Sequence, residues 1–388
     1  MTRQRQDATA PAGRLLDRLF GETLPFWAQY GSDRECGGFH ERLDADRRPV
    51  VQDGKRSMAQ ARQVYVFAQA ALLGRMAEAA NRARAGYDFL LAHCRHPGGG
   101  WRFRVARDGK PLDETRDLYA QAFVLFALAW RFRLDGDTGA RTLAEETLRY
   151  LDSAMAHPAG GYREGIDAAG RPTTGQRRQN PHMHLFEALL EWHAASGDAV
   201  WLDRAEAIGT LLSQRFCVGG TLREYFADDL SPAPGVDGRL VEPGHHYEWA
   251  WLLHRYRQLS GDTRHAALAA ALYDFAVAHG TDPASGGVID TVDCDGAALT
   301  RSRRLWPQTE AVKAHVARVE ATGDPACAER LERQVESLLR CHFDGAPVGG
   351  WREHLGEDGT PLVSGFPASS LYHITLAAAE LDRLRRAG

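Results

Sequence analysis

Residues 98–137 read GGGWRFRVARDGKPLDETRDLYAQAFVLFALAWRFRLDGD, and they contain most of one unit of a pattern that recurs along the chain. The Gly-Gly pair is followed by an alternating segment with an Asp-Gly turn signal, which is typical of a β-hairpin. The nearly apolar stretch after it predicts a buried inner helix that ends at Gly136, a residue suited to a left-handed C-cap. The next stretch, residues 138–157, has its charges on one side and predicts an outer helix.

This unit occurs six times. The second glycines of the Gly-Gly pairs are spaced by 62, 61, 59, 67 and 63 residues, and they are Gly38, Gly100, Gly161, Gly220, Gly287 and Gly350. Six inner and six outer helices, with short β-hairpin loops at one mouth, are the inventory of an all-α (α/α)6 toroid. An open solenoid is the alternative, but the terminal units lack the polar caps that an open stack requires. The pattern therefore predicts a closed ring over residues 1–388 as a single catalytic domain, with residues 1–12 as a flexible N-terminal segment.

Composition and charge argue against several classes of partner. The chain is 44% hydrophobic, and its 47 basic and 51 acidic residues are interspersed. It has no basic stripe for nucleic acid and no apolar run near the ~20 residues that a membrane span needs. Six cysteines without a CxxC pair, and a beginning without an apolar signal core, lead us to expect reduced thiols and a cytoplasmic location.

Ionisable residues near the start of the inner helices indicate a functional cleft. Counted back from the helix-ending glycines, five of these helices place such a residue at nearly one depth: Arg62, His184, Glu248, Glu310 and His373. His245 lies one turn before Glu248, and the second inner helix carries Asp117, Tyr119 and Gln121 at a similar level. In a closed ring these side chains converge at one mouth. Burying so many polar groups is unfavourable unless they pair or bind a ligand.

Several of these residues also have a structural interpretation. Glu187 and Glu248 fit orienting partners of the histidines and structural ion pairs equally well, and Trp306 fits a sugar-stacking platform or ordinary core. Arg62 is expected to pair with a carboxylate, a substrate oxygen or both. Packing and structural roles are the default for Met58, His182, His193, His254 and His315. No metal site is predicted, because the histidines of HMH face opposite sides of a helix and GHHYE is not an HExxH motif.

Five segments resemble the N-acylglucosamine 2-epimerase family: MAQARQVYVFAQA (58–70), NPHMHLFEA (180–188), EPGHHYEWAWLL (242–253), WPQTEAVKA (306–314) and SSLYHI (369–374). The resemblance covers about residues 30 to 380 and implies an (α/α)6 barrel that isomerises or epimerises sugars at C2 without a metal or nicotinamide cofactor. It assigns the catalytic histidine pair to His245 and His373. It assigns the substrate-binding arginine to Arg62, other site residues to His184, Glu248 and Trp306, and a loop arginine to Arg239. Some relatives carry an aromatic residue where this chain has Met58.

These residue types fit aldose–ketose isomerisation. An imidazole with an ordinary pKa of ~6.5 can both take and return a proton near neutrality. We expect His373 to move the proton, His245 to assist ring opening with Glu248 orienting it, and Arg62 to stabilise the enediolate oxygen. An exchange of roles between the two histidines is the alternative. The predicted substrate-binding residues are Arg62, His184, Arg239, Trp306, Glu187, Tyr119 and Gln121.

The form RLVEPGHHYEWAWLL (239–253) is most similar to the family's D-mannose isomerases, so interconversion of D-mannose and D-fructose is the expected reaction. The expected partner is a monosaccharide, and the expected assembly is a monomer or homodimer. A sugar 2-epimerase, acting on mannose and glucose or on N-acylglucosamine, and a sulfoquinovose isomerase are alternatives within the family. An inverting glycosidase, with an acid pair drawn from Glu187, Glu248, Glu310 and Asp117, is a more distant alternative, as is a non-catalytic scaffold.

Overall fold

Six buried helices form the inner wall of the molecule. The structure, a computed structural model, describes residues 11–51 and 54–387. In chain order the inner helices are Ser57–Leu72, Leu118–Asp135, Gln179–Ser196, Pro243–Ser260, Leu305–Thr322 and Ser370–Ala387. The second to fifth end at Gly136, Gly197, Gly261 and Gly323, all with φ between 65° and 76°. A left-handed glycine therefore ends each of these four helices, as the sequence predicted.

An outer layer of helices alternates with the inner one. It consists of Ala79–Phe89, Thr138–Tyr150, Ala199–Leu211, Ala266–His279, Pro325–Leu338 and a composite element of Pro11–Asp17 and Leu24–Tyr30. A π-helical segment, Arg18–Thr23, joins the two parts of the composite element, and similar segments extend four other outer helices at Leu90–Cys94, Leu151–Met155, Leu212–Phe216 and Leu339–Phe343. The outer position follows from amphipathicity, since Thr138–Tyr150 buries only Ala140, Ala144, Thr147 and Leu148. Among the described helices none is long and apolar enough to cross a bilayer.

The helices close into a ring. Each inner helix packs against the next, and the sixth packs against the first. At the junction, strand β1 (Arg42–Leu43) pairs antiparallel with β16 (Phe366–Pro367), and Gln63 Nε2 donates a hydrogen bond of 2.7 Å to the carbonyl of Ala368. The predicted (α/α)6 toroid is thus confirmed. Residues 1–10 of the predicted flexible segment lie outside the described residues, but Pro11 and Ala12 already belong to a helix, which corrects its boundary.

Short strands surround one mouth of the ring. In chain order, strands β2 to β15 are Lys55–Arg56, Arg104–Val105, Pro111–Asp113, Arg116–Asp117, Gly165–Ile166, Arg177–Arg178, Cys217–Val218, Thr221–Leu222, Tyr225–Phe226, Leu240–Val241, Thr291–Asp293, Ala298–Thr300, Arg303–Arg304 and His354–Leu355. The strand before each inner helix pairs with the hairpin strand of the following unit, in the ladders β2–β3, β5–β6, β7–β10, β11–β12, β14–β15 and β16–β1. Strands β4 and β13 extend two of these ladders, and β8 pairs with β9.

A polar side chain at the fourth position of five inner helices holds the adjacent hairpin. Gln60, Gln121 and Gln308 each bond both the N–H and the C=O of the residue just after the Gly-Gly pair, at 2.7–2.9 Å. His182 accepts from the corresponding N–H, that of Tyr162, through Nε2 at 3.0 Å, and His246 accepts from the N–H one residue further on, that of Leu222, at 3.3 Å. All five side chains are fully buried. They satisfy backbone groups that would otherwise be buried without partners, so their role is structural.

Candidate active site

The first turns of the inner helices enclose a cavity of about 260 Å³. Seven of the predicted site residues line it: Arg62, Tyr119, His184, His245, Glu248, Trp306 and His373. The remaining lining residues are Arg178, Asn180, Glu224, Tyr225, Glu242, Arg304, Glu353, Ser369 and Ser370. Pockets for drug-sized ligands are about 300–1,000 Å³, so this cavity has the size for a single sugar unit rather than a chain.

His245 is held by two carboxylates. Its Nδ1 lies 2.8 Å from Glu224 Oε2 and 3.6 Å from Glu242 Oε2. Burial alone lowers the pKa of His245, but the Glu224 carboxylate, with Glu242 and Glu248, outweighs burial and raises it to about 9. This imidazole is therefore protonated near neutrality. The expectation that Glu248 orients His245 is corrected, because Glu224 makes the hydrogen bond.

His373 has the opposite electrostatic environment. Its Nδ1 lies 2.7 Å from Glu310 Oε1, and both residues are buried. Burial, reinforced by the charges of Arg62 and Lys313, holds the pKa of His373 well below its usual range. The ring is therefore neutral near pH 7. With Nδ1 donating to the Glu310 carboxylate, Nε2 carries the free lone pair.

Trp306 lies between these two histidines. Its ring centroid is 4.8 Å from that of His245 and 5.9 Å from that of His373, with interplanar angles of 36° and 41°. The guanidinium carbon of Arg304 lies 5.3 Å from the same ring. An indole that lines the cavity and contacts both imidazoles provides an apolar face beside the ionisable groups, of the kind on which a sugar ring can stack.

Arg62 has no carboxylate within ion-pair distance in the described part of the chain. Its Nη2 donates to the Tyr119 hydroxyl at 2.7 Å, and its Nη1 donates to the Ser369 carbonyl at 3.2 Å. The guanidinium carbon lies 4.1 Å from the centre of the Phe123 ring and 4.8 Å from that of Tyr372. We expected Arg62 to pair with a carboxylate, a substrate oxygen or both. Since no carboxylate of the described chain pairs with it, a substrate oxygen is the remaining partner. A buried guanidinium without a counter-ion is suited to an oxygen that becomes negative during a reaction.

Two further polar side chains face the cavity. Burial lowers the pKa of His184 to about 3, and its Nδ1 lies 3.1 Å from Glu187 Oε2. Glu187 does not line the cavity and accepts a hydrogen bond from the Tyr372 hydroxyl at 2.5 Å, so it contacts His184 from behind. Glu248 does line the cavity, and neither of its buried oxygens accepts a hydrogen bond. The neutral His184 ring approaches it to 4.0 Å through Nδ1, and the Lys313 ammonium approaches it to 3.9 Å through Nζ. The Glu248 carboxylate thus presents acceptors for ligand hydroxyls.

Besides Glu187, two predicted substrate-binding residues lie outside the cavity. Arg239 is half-exposed at the end of a short 3-10 helix, Asp237–Arg239, where its Nη2 bonds Asp293 Oδ1 at 2.5 Å and Asp295 Oδ2 at 2.7 Å. Gln121 is one of the five side chains that hold the hairpins. Both predictions are corrected for the same reason: these polar side chains already form hydrogen bonds with backbone or acidic groups of the hairpins.

The sequence reasoning missed a series of acids. An acid stands three or four residues after five of the Gly-Gly pairs: Glu41, Glu164, Glu224, Asp290 and Glu353. In the first, third and fifth units it bonds both the backbone and the guanidinium of the arginine that precedes the inner helix, namely Arg56, Arg178 and Arg304. In the fourth unit Glu224 bonds His245, and in the sixth Glu353 accepts from Ser370. The recurrence of these acids beside the repeat glycines was the signal that could have revealed Glu224.

Two sets of buried groups have the spacing of metal ligands. His184, Glu187 and Glu248 form one set, and Glu248, Glu310 and His373 form the other, with potential ligand atoms within 4.8 Å of one another. In the second set, Lys313 Nζ lies 2.5 Å from Glu310 Oε2 and 3.9 Å from Glu248 Oε1. The carboxylates of that set therefore already have a counter-cation from the chain itself.

Known proteins match nearly the whole chain. The family model described as N-acylglucosamine 2-epimerase (GlcNAc 2-epimerase) matches residues 37–377. A protein from Rhizobium meliloti (strain 1021) named mannose-6-phosphate isomerase is 37% identical over 387 residues, which cover 97% of this chain and 98% of the relative. A D-mannose isomerase from Thermobifida fusca is 30% identical, and the match covers 83% of each chain.

A solved structure has the same architecture. The crystal structure of a D-mannose isomerase superposes with a TM-score of 0.87 at 24% identity, covering 95% of this chain and 97% of that one. At that identity the likeness shows the fold, and the family assignment depends on the sequence matches. The resemblance noted in the sequence is thereby confirmed: the chain belongs to the N-acylglucosamine 2-epimerase family of sugar isomerases and epimerases.

Proposed function

We propose that this enzyme interconverts D-mannose and D-fructose by moving a proton between C2 and C1 through a cis-enediolate, without a metal or nicotinamide cofactor. The observation that carries the proposal is a pair of histidines that line one cavity in opposite charge states. His245 is protonated beside Glu224, and His373 is neutral beside Glu310. An acid and a base at the same substrate are what ring opening followed by proton transfer requires.

The proposed reaction begins with ring opening. The His245 imidazolium donates a proton to the ring oxygen as the bond from C1 to that oxygen breaks, and the anomeric hydroxyl proton, released as the C1 carbonyl forms, restores the proton on His245. His373 Nε2 then removes the proton from C2, the electron pair forms the C1–C2 double bond, and the former carbonyl oxygen becomes negative. The Arg62 guanidinium stabilises that oxygen. His373 returns its proton to C1 while the O2 hydroxyl proton passes to O1, which leaves the ketose.

The remaining cavity residues serve binding in this proposal. Trp306 stacks on the sugar between the two histidines, and the Glu248 oxygens accept hydrogen bonds from its hydroxyls. His184 and Tyr119 complete the wall, with Glu187 holding His184 in place. These assignments change the role of Glu248 from orienting His245 to binding sugar hydroxyls. They keep the predicted roles of the other cavity-lining residues and give Gln121 and Arg239 no direct contact with the sugar.

The charge balance favours an uncharged sugar over a phosphorylated one. Arg178 already pairs with Glu164, and Arg304 pairs with Asp290 and Glu242. The cavity is also lined by four acids: Glu224, Glu242, Glu248 and Glu353. A phosphate group adds about two negative charges at neutral pH, which these acids oppose. The same argument disfavours sulfoquinovose. A phosphorylated mannose is still the second candidate because the 37% identical relative carries that name.

The glycosidase alternative loses most of its proposed acid pairs. Of the four candidate acids, only Glu248 lines the cavity. Glu187 and Glu310 are buried behind it, bonded to Tyr372 and Lys313, and Asp117 caps a helix by accepting from the N–H of Ala120. Inversion requires a second catalytic acid facing the same ligand, and the other three acids of the cavity, Glu224, Glu242 and Glu353, are already paired with His245, Arg304 and Ser370. A sugar 2-epimerase uses the same two histidines and is separated from the isomerase only by its product.

Cysteine chemistry supports the expected cytoplasmic location. All six cysteines are free, and three of them, Cys94, Cys294 and Cys327, are buried. Free thiols persist where the compartment is reducing, whereas secreted proteins commonly pair them. We propose the cytoplasm as the site of action on that basis.

A substrate panel tests the proposal. The purified protein is incubated separately with D-mannose, D-mannose 6-phosphate, N-acetylmannosamine, cellobiose and sulfoquinovose, and the products are identified by NMR. We expect conversion of D-mannose to D-fructose at a kcat/KM at least tenfold above that for any charged sugar. Glucose as the product from mannose indicates a 2-epimerase instead, and a preference for mannose 6-phosphate overturns the charge argument.

A further inference from the structure

A lysine is buried just behind the cavity wall. Lys313 is fully buried and does not line the cavity. Its Nζ lies 2.5 Å from Glu310 Oε2 and 3.9 Å from the centre of the Trp251 ring. A buried ammonium is costly to desolvate and is normally retained only where it is paired. Nothing in the proposed chemistry yet uses this residue.

Glu310 connects this lysine to the proposed base. One carboxylate oxygen faces Lys313 Nζ, and the other lies 2.7 Å from His373 Nδ1. An ionised carboxylate can only accept, so it keeps the proton on Nδ1 and leaves Nε2 unprotonated. A protonated Glu310 could instead donate to Nδ1, which would place the ring proton on Nε2, the nitrogen left for the sugar. The charge of Glu310 thus determines which nitrogen of His373 can act as a base.

We propose that Lys313 is a positioning residue: by holding Glu310 as a carboxylate, it fixes the tautomer of His373 that leaves Nε2 free to accept a proton. The inference rests on the proposed function of His373 as the base. Its role resembles that of the residues around metal sites, where a group that does not touch the metal fixes the tautomer of a metal-bound histidine through hydrogen bonding.

Without Lys313, the surroundings of Glu310 favour its neutral form. Burial raises the pKa of Glu310 well above its usual range, and the carboxylates of Glu248 and Glu187 add to that increase. The Lys313 ammonium, 2.5 Å from Oε2, opposes the increase without cancelling it, so its loss would raise this pKa further. The charged and titratable groups facing this cluster from the other inner helices are Arg62 on the first, His184 and Glu187 on the third, His245 and Glu248 on the fourth, and Tyr372 and His373 on the sixth.

Burial lowers the pKa of Lys313, but the carboxylates of Glu310, Glu248 and Glu187 outweigh burial and raise it. Lys313 is therefore a permanent cation over the working pH range.

The first test is Lys313→Met, a substitution of similar length without the charge. We expect kcat on D-mannose to fall at least tenfold at pH 7 and to recover partly as the pH rises, because Glu310 loses its proton again. The acidic limb of the pH–rate profile thus moves upward. Lys55→Met is the matched control: Lys55 is buried and bonded to Asp33 at 3.0 Å, away from the cavity, so its loss lowers stability without moving that limb. An unmoved limb in Lys313→Met overturns the proposal.

A second pair of variants does not depend on a stable Lys313→Met protein. In Glu310→Gln the amide oxygen accepts from Nδ1 without needing a counter-cation. Removing both charges in Glu310→Gln/Lys313→Met also avoids leaving an unpaired buried ion. We expect the double variant to have a kcat within about threefold of Glu310→Gln, as expected when the two residues act as one unit. A further tenfold loss in the double variant means that Lys313 acts independently of Glu310, which overturns the proposal.

The tautomer itself can be read without any turnover. In protein labelled with 15N-histidine, the ring nitrogen shifts of His373 should report Nδ1–H in the wild type and Nε2–H in Lys313→Met at pH 7. An unchanged tautomer overturns this inference even if mannose is converted. If the tautomer changes but no sugar in the panel reacts, the proposed function fails and the control of His373 by Lys313 stands.

Discussion

Two imidazoles of one cavity differ because their neighbours differ. His245 faces Glu224 and Glu242, whereas His373 lies near Arg62 and Lys313 and shares its carboxylate with the lysine. Raising the pKa of His245 from 6.5 to about 9 corresponds to about 3 kcal/mol of preference for its protonated form. The sequence identified both histidines but could not predict this asymmetry, because Glu224 precedes His245 by 21 residues on a hairpin.

The charge of His245 leads to a prediction about pH. If protonated His245 is required, kcat/KM for D-mannose should fall only above about pH 9, where His245 loses its proton. Glu224→Gln removes the negative charge that favours protonation, so the alkaline limb should move down by at least one pH unit. Rates measured from pH 5 to 10 check this.

Glu242→Gln is the control for that measurement. Glu242 lies 3.6 Å from His245 Nδ1 instead of 2.8 Å, so its substitution should move the alkaline limb less. A limb that stays in place in Glu224→Gln contradicts the assignment of His245 as the acid.

At the scale of single elements, the repeat explains both what the sequence predicted and what it did not. The glycine spacing predicted the inner helices and their ends, because a left-handed residue ends a helix wherever it occurs. Gln121 was misassigned because a polar residue at the helix start can face either the cavity or a hairpin. Aligning it with Gln60 and Gln308 reveals the structural role, since the same residue type recurs at the same helix position.

His182 allows a test of this element-level role. Burial lowers the pKa of His182 to about 3, against about 6.5 when unfolded, so the unfolded chain binds an extra proton below pH 6.5 and stability is lost as the pH falls. His182→Gln places here the glutamine that three other units carry at the equivalent position, and it removes the proton uptake on unfolding that makes stability depend on pH. The loss of unfolding free energy between pH 7 and pH 5 should shrink by about 2 kcal/mol, measured by urea unfolding at both pH values.

The reverse exchange serves as the control. Gln60→His places an imidazole at the equivalent position of the first unit and should make the protein more sensitive to acid. If His182→Gln loses as much stability at pH 5 as the wild type does, the buried neutral state of His182 is refuted.

At the scale of the whole molecule, the two ends of the described chain meet. Arg42–Leu43 pairs with Phe366–Pro367, and the Phe366 ring lies 6.3 Å from Phe26 and 5.6 Å from Trp351. The sequence predicted closure from its terminal units, but the predicted flexible segment overlaps the helix that contains Pro11 and Ala12. Closure matters for the site because Arg62 on the first inner helix and His373 on the sixth must line one cavity.

Phe366→Ala tests whether closure stabilises the whole ring. Truncating a buried Phe costs about 3–5 kcal/mol, and here we expect the loss to lower one shared unfolding transition seen by both tryptophan fluorescence and far-UV circular dichroism. Leu362→Ala, at a side chain that is 53% exposed on the same hairpin, should leave the transition unchanged. A normal midpoint for Phe366→Ala, or separate transitions by the two probes, contradicts this account.

The central claim is that His373 carries a proton between C2 and C1 of an open sugar. The most direct measurement follows D-mannose in deuterium oxide by NMR with the wild type and with His373→Asn, after confirming that the variant is folded. The account predicts deuterium at C1 of the fructose formed by the wild type, because the proton that His373 Nε2 takes from C2 exchanges with solvent before its return in part of the turnovers. It also predicts loss of both fructose and label in the variant. A His373→Asn enzyme that forms fructose or takes up label at the wild-type rate would contradict it.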